Sequence, residues 1–372
     1  MRNQDLLIYL PHTQLHLLFK VLQQAGYQCV IPQVRDHTIV FDTAPADATE
    51  AVNALPRGYQ DIQSAGRYCL EHNDNPRYFA WATGAQALKP LTFAPRETLW
   101  TVSRDATGKL NFVETLPNPK PTAVIGVRGC DLAALQLQDQ HFCYKEYADN
   151  YYSKRRRSLL LIGVDCARSA DTCFCHSTGD GVNVTSGYDI ALTELDDGFI
   201  LRFKSEKGRA LLAELPQTPV SEAQQQQAQQ QTQTAIAMQT RRLPSRDLQA
   251  TLFSRLDHPH WEEVAKRCLS CTSCTSVCPT CFCHSEGEQA DITGTHSEHY
   301  RQWDSCFTAG HSYMHSFVLR DSTTFRYRQW MTHKLGSWHE QYGRSGCVGC
   351  GRCITWCPVG IDFTAEVSAI CA

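Results

Sequence analysis

The sequence predicts an α/β N-terminal domain with a mixed or parallel sheet, followed by a mainly helical C-terminal domain organised around cysteines. Three observations carry this reading. Apolar strands at 122–125 and 159–162 flank a helical stretch, and strand, helix and strand in that order imply a parallel crossover unit. Two copies of a C-x2-C-x2-C-x3-C-P run stand at 268–279 and 347–358. A Gln-rich tract lies between the two halves, so the expected division is 1–214, a linker over 215–245, and 246–372.

Taken in order, Leu15, Leu17, Leu18, Val21 and Leu22 recur at helical spacing and predict an amphipathic helix. Short strands are expected at Cys29–Ile31 and His37–Phe41. Residues 46–120 show no clean period and stay mixed. After the Thr122–Ile125 strand, Gly126 to Asp131 form a turn, and Leu132–Leu137 begin a helix that Asp131 is placed to cap. The Leu159–Ile162 strand leads through Gly163, Val164 and Asp165 to Cys166, and further strands at Ile190–Leu195 and Phe199–Phe203 flank a turn at 196–198. Gln224–Gln227 and Gln229–Gln231 carry no apolar face, which predicts a solvated linker or a long exposed helix. Beyond it, Leu248, Leu252, Leu256, Trp261 and Val264 carry helical spacing into the first cysteine run. The runs are 69 residues apart, and the aromatic-rich insert between them, with little strand alternation, predicts helices.

Cys268, Cys271, Cys274 and Cys278 form the first run; Cys347, Cys350, Cys353 and Cys357 form the second. Three thiolates at three-residue spacing let one short loop wrap a corner of an iron–sulfur cube, whereas the fourth lies too far along. In two-cluster ferredoxins that fourth Cys ligates the other cluster, and the following Pro turns the chain away. The expected ligand sets are therefore Cys268, Cys271, Cys274 and Cys357 for one 4Fe-4S cluster, and Cys347, Cys350, Cys353 and Cys278 for a second. This makes the C-terminal part a helical 4Fe-4S dicluster ferredoxin-type domain. Structural zinc takes separated C-x2-C knuckles instead.

Composition narrows the rest. Of 372 residues, 42% are hydrophobic and 10% aromatic, enough for at least one large core. A formal net charge of -3 gives no global field for nucleic acid. The apolar run Leu6–Leu10 is too short for a signal peptide or a membrane span, and no later stretch approaches the length of a span, so none is expected. Nineteen Cys in a leaderless chain point to metal binding in a reducing cytoplasm. No G-x-G-x-x-G, P-loop or Ser/His/Asp signature is present, so no catalytic centre of its own is evident.

Cys130 and Cys166 each follow a predicted parallel strand, and Cys173 and Cys175 come soon after the second. Loops at the carboxyl ends of such strands converge. The four thiols read either as ligands of a third 4Fe-4S cluster or as buried small side chains, and both readings stand. Cys29, Cys69, Cys143 and Cys371 fall to the second. TCFCHS occurs at 172–177 and again at 280–285, leaving Cys281, Cys283 and Cys306 near the runs without a ferredoxin slot. His176 and His284 end the repeats, as iron ligands or as hydrogen-bond donors to a cluster sulfur. Lys266, Arg267, Arg344 and Arg352 bracket the runs, and Lys154 to Arg157 form a basic stretch.

Several stretches together resemble a known family: Gly126 to Leu132, Cys173-Phe174-Cys175, Cys278 to Cys283, Trp303 to Cys306, His333-Lys334, and CVGCGRCITWC at 347–357. They resemble the beta subunit of cytoplasmic nickel–iron hydrogenases (sulfhydrogenases), and equally the A component of anaerobic sulfite reductase, which shares the 4Fe-4S dicluster domain. The resemblance covers most of the chain from about residue 120. It implies an iron–sulfur electron-transfer subunit of a multi-subunit oxidoreductase. Such a protein relays electrons between a flavin subunit that handles NAD(P)H and the catalytic subunit of a hydrogenase or sulfite reductase. The alternative is a free-standing ferredoxin-type carrier, against which the α/β half argues.

Overall fold

The structure, a computed structural model, describes residues 7–144 and 146–372. Of the apolar run read at 6–10, Leu6 lies outside them. A seven-stranded sheet runs in the order Ile8–Pro11, Gly198–Phe203, Ile190–Glu194, Leu159–Val164, Thr122–Val127, Gln28–Arg35, Thr38–Thr43. Its interior is parallel: Val30 faces Val124, Val124 faces Leu161, and Ile162 faces Ile190. Both edges are antiparallel, so the sheet is mixed. The LLLIGV strand is buried at all six positions, which is what an apolar run without alternation requires of a strand covered on both faces. The amphipathic stretch forms the helix Leu15–Gln24, which buries Leu15, Leu18, Phe19 and Leu22 against one face.

The helix after Thr122–Val127 starts earlier than expected, at Gly129, and Asp131 does not cap it. A Cβ on Gly129 would stand 2.7 Å from the Asn183 carbonyl oxygen, so only glycine fits there. Asp131 sits inside the first turn, where its carboxylate is taken by Arg352. Residues 222–237 form a helix closed by a Ser221/Gln224 capping box, and it buries only Gln231 and Ala235.

The C-terminal part has its own core of Leu252, Trp261, Val264, Phe307, Tyr327, Trp330, Met331, Ile354, Phe363 and Val367. Helices Leu248–Phe253, His260–Arg267, Thr323–Thr332 and Phe363–Cys371 surround it. The insert between the runs is only partly helical. Its first third is a hairpin, His284–Ala290 with His296–Trp303, that joins Arg96–Arg104 and Leu110–Glu114 in a four-stranded antiparallel sheet. HSEGEQA and HSEHYRQW carry too few apolar residues for the alternation that marks a strand. Cross-sheet charge pairing holds them: Arg301 bonds Glu97 at 2.8 Å and also meets Asp149, while Arg155 meets Glu97 from the helix Asn150–Arg157. Half of the basic stretch is thereby paired, Arg156 meeting Asp139 at 3.0 Å.

Candidate metal centres

The first run leaves the helix His260–Arg267 at Cys268 and turns through Ser270 and Thr272, both at positive φ (51° and 68°). The turns keep the Cys side chains on one side of a tight loop. Cys268, Cys271 and Cys274 line a cavity of about 460 Å³, and the fourth thiol on its wall that the ferredoxin pattern assigns is Cys357, from the second run. A neighbouring cavity of about 350 Å³ is lined by Cys347, Cys350 and Cys353, with Cys278 from the first run. Trp330, Cys353 and Phe363 line both, so the two spaces adjoin. Backbone N–H groups point at sulfur: Ser270 at Cys268 (3.4 Å), Gly349 at Cys347 (3.5 Å) and Ile361 at Cys357 (3.4 Å). Cys271 is exposed, so the first space reaches the surface.

This donor set fits anionic iron–sulfur clusters. Burial pushes the thiols of Cys268, Cys274, Cys350 and Cys353 up, and that of Cys347 to about 12. Thiols so placed become thiolates only where a metal supplies positive charge. Cys278 differs: a hydrogen bond from Cys281 draws it well below the ordinary thiol range against its burial, and Lys334 adds its charge.

Cys130 lies in the first turn of Gly129–Phe142, and Cys166 lies two residues beyond Leu159–Val164, so both stand at the carboxyl edge of the parallel strands. Cys173 and Cys175 fold back onto them. Cys130 and Cys175 share an apolar cluster with Val182, Val348 and Cys350, and Cys166 packs against it. Cys173 is within electrostatic reach of Cys166 and Cys175. Burial raises all four thiols, Cys175 to about 12, and Gln239 donates to the Cys175 sulfur at 3.3 Å. The loop 172–175 docks on the second run: Phe174 N–H meets the Gly349 carbonyl at 2.9 Å, and a Cβ on Gly349 (φ +63°) would stand 2.5 Å from the Cys175 Cα.

Buried cations stand beside these thiols, and no local pattern marks their partners. Arg352 is 1% exposed and bonds Asp131 through both nitrogens, at 2.7 and 3.1 Å, between Cys350 and Cys130. Arg128, also 1% exposed, donates to the carbonyls of Phe79 (3.0 Å) and Ala82 (3.1 Å) beside Cys166, and among the described residues it meets no carboxylate. Lys266, Arg267 and Arg344 pair with Glu263, Glu366 and Asp180. Neither repeat histidine bonds a thiol in the described contacts: His176 is exposed and His284 lies 3.2 Å from the Phe282 carbonyl. His311, which no pattern marked, bonds Cys283. Cys29 and Cys371 are buried in the two cores, while Cys69 and Cys143 are half-buried.

Two comparisons bear on this arrangement. A family model described as a 4Fe-4S dicluster domain matches residues 267–361, which contain both runs. The chain is also similar to sulfhydrogenase 2 subunit beta of Pyrococcus furiosus, with 28% identity over 288 residues, covering 75% of this chain and 83% of that protein.

Proposed function

We propose, from the hydrogenase beta-subunit-like family that these comparisons support, that the chain is the electron relay of a multi-subunit oxidoreductase, between a flavin subunit that handles NAD(P)H and a hydrogenase-type catalytic centre. The coarser statement, an iron–sulfur electron-transfer subunit, rests on the dicluster domain and the relative together. The observation that carries the relay reading is the pair of adjoining cavities, each walled by three thiols of one run and one assigned thiol of the other, while the partners are inferred from the relative alone.

In this reading Cys268, Cys271, Cys274 and Cys357 hold one 4Fe-4S cluster. Cys347, Cys350, Cys353 and Cys278 hold the second, and Cys130, Cys166, Cys173 and Cys175 hold a third at the sheet edge. Each cluster supplies a one-electron carrier. The chain's own part is placement. Trp330 and Phe363 keep water from the space between the first two sites. The docking of 172–175 on Gly349 fixes the third site against the second. Arg128 and Arg352 bring positive charge to the thiolates, which favours reduction. The domain division at 215–245 and a reducing cytoplasmic setting belong to the same proposal. No helix among the described residues is long and apolar enough to cross a membrane.

Anaerobic purification with iron and sulfide counting tests the reading, together with identification of the accompanying subunits. About twelve or more irons per chain are expected, and about eight would leave only the ferredoxin pair. A nickel–iron subunit in the complex supports the hydrogenase assignment, and a sirohaem protein overturns it. Isolation as a lone carrier that reduces many acceptors overturns the relay.

A further inference from the structure

Of the seven thiols outside the twelve assigned above, three are gathered in one place. Cys281 and Cys283 come from the second TCFCHS copy, and Cys306 follows the strand His296–Trp303. The Cys306 thiol donates to the Cys283 sulfur, and His311 bonds the same sulfur. Cys281 lies within electrostatic reach of both Cys283 and Cys306. Cys281 and Cys306 are each 8% exposed. In the first TCFCHS copy, Cys175 likewise lies within electrostatic reach of Cys166 and of Cys350, from the second run.

Charge separates a ligand set from four ordinary buried side chains. Lys334, 4% exposed, places its ammonium 3.3 Å from the Cys281 sulfur and 2.7 Å from the Thr280 hydroxyl. Lys89, also 4% exposed, lies 3.9 Å over the Trp303 ring and donates to the carbonyls of Thr275, Ser276 and Cys278. Among the described residues neither ammonium meets a carboxylate. A buried ammonium persists only beside negative charge, and the groups offering it here are sulfurs. Lys334 faces Cys278 and Cys347, both assigned to the second cluster, as well as Cys281, while Lys89 faces Cys281, Cys278 and Cys283. A cavity of about 430 Å³ opens between Lys89, Cys281 and Ser305.

We propose that Cys281, Cys283, Cys306 and His311 hold a further iron–sulfur centre, of three thiolates and one imidazole, next to the second cluster. The proposal rests on the chain being an iron–sulfur protein and adds a site to it. The hydrogen bond between Cys281 and Cys278 puts the new centre in line with the relay.

The test uses the full chain, purified anaerobically with its accompanying subunits. Iron, sulfide and zinc are counted in the wild type, in Cys283→Ala/Cys306→Ala, and in Cys173→Ala/Cys175→Ala. The first variant is expected to lose about two to four irons with matching sulfide and to keep the electron-spin signals of the ferredoxin pair. Iron equal to wild type, or loss of zinc instead, overturns the proposal. Should that variant not fold, His311→Ala decides. The reduced wild type should show the strong nitrogen coupling of an iron-bound imidazole, and His311→Ala should lack it. Its absence from the wild type, or its persistence in the variant, overturns the ligand set. Failure of the relay reading shows elsewhere, as unchanged iron in Cys271→Ser and Cys350→Ser.

Discussion

Replacing Arg352 by Met leaves Asp131 buried with no counter-charge, and the size of the loss follows from the geometry. Both side chains are 2% exposed, and two hydrogen bonds of 2.7 and 3.1 Å join them. Unit charges about 4 Å apart attract by about 4 kcal/mol at an effective dielectric near 20. Breaking a buried pair from one side costs about 3–5 kcal/mol, because the remaining charge is left desolvated. Asp131→Leu should therefore cost about as much as Arg352→Met. The double variant strands no charge. It leaves unpaired only the Gly84 carbonyl, which Arg352 Nε normally meets at 2.8 Å, at a cost of about 1–3 kcal/mol. It should thus be more stable than either single variant. The assay is urea unfolding under argon, followed by the fluorescence of Trp261, Trp330 and Trp338, all buried in the C-terminal part. Single variants within about 1 kcal/mol of wild type, or a double variant that simply adds the two losses, would refute the buried pair.

Three other outcomes follow from the same geometry. Cys271→Ser should weaken one cluster and Cys350→Ser the other, seen as loss of different electron-spin signals; unchanged iron in both would remove the ferredoxin reading. Gly349→Ala should free the loop 172–175, since its Cβ has no room at 2.5 Å from the Cys175 Cα, and iron should fall by about four per chain while the first cluster's signal stays. The imidazole of His333 is held near pKa 4 by burial and then by Lys334, and it accepts the Trp338 indole N–H at 3.0 Å, which requires Nε2 unprotonated. Its folded pKa lies below the unfolded value of about 6.5, so its contribution is full above pH 6.5 and is lost as pH falls towards 4. The loss is about 3 kcal/mol at most, and it should vanish in His333→Gln, measured by urea midpoints between pH 7 and 5.

The α/β half was legible where apolar runs carried the information. Val124 and Leu161 sit in strands that need only their own apolar character to be recognised, and the period of Leu15 to Leu22 marked its helix. The dicluster domain was legible in the cysteine runs because their spacing is a local pattern. The hairpin 284–303 was not, because charge pairs such as Arg301–Glu97 hold it and such pairs lie 204 residues apart. Asp131 was misread as a cap for a similar reason: its partner, Arg352, is 221 residues away. His311 had no neighbouring pattern at all. Only the fold brings it to Cys283.

The buried cations suggest why an α/β platform is fused to a dicluster unit. A relay needs its carriers at fixed short separations and at potentials that electrons can traverse, and free loops provide neither. Arg128 and Lys89 come from the N-terminal half, Lys334 and Arg352 from the C-terminal half, and all four are buried beside thiols. Three of them meet no carboxylate among the described residues: Lys334 meets the Cys281 sulfur at 3.3 Å, and Arg128 and Lys89 donate to backbone carbonyls close to thiols. Lys89 reaches across to the carbonyls of Thr275, Ser276 and Cys278, and Arg352 reaches back to Asp131 and Gly84. Each half thus supplies counter-charge to thiolates of the other. Separating the halves would strand both cations and thiolates in low dielectric, a far larger cost than exposing an apolar face of the same area. The platform is therefore better understood as part of the electrostatic housing of the clusters than as an appended module. On this argument Arg128→Leu should lower the midpoint potential of the third centre proposed at Cys130, Cys166, Cys173 and Cys175, in a redox titration of the intact protein, by removing a nearby positive charge. A potential unmoved in a folded variant with full iron content would mean that Arg128 serves only the carbonyls it binds.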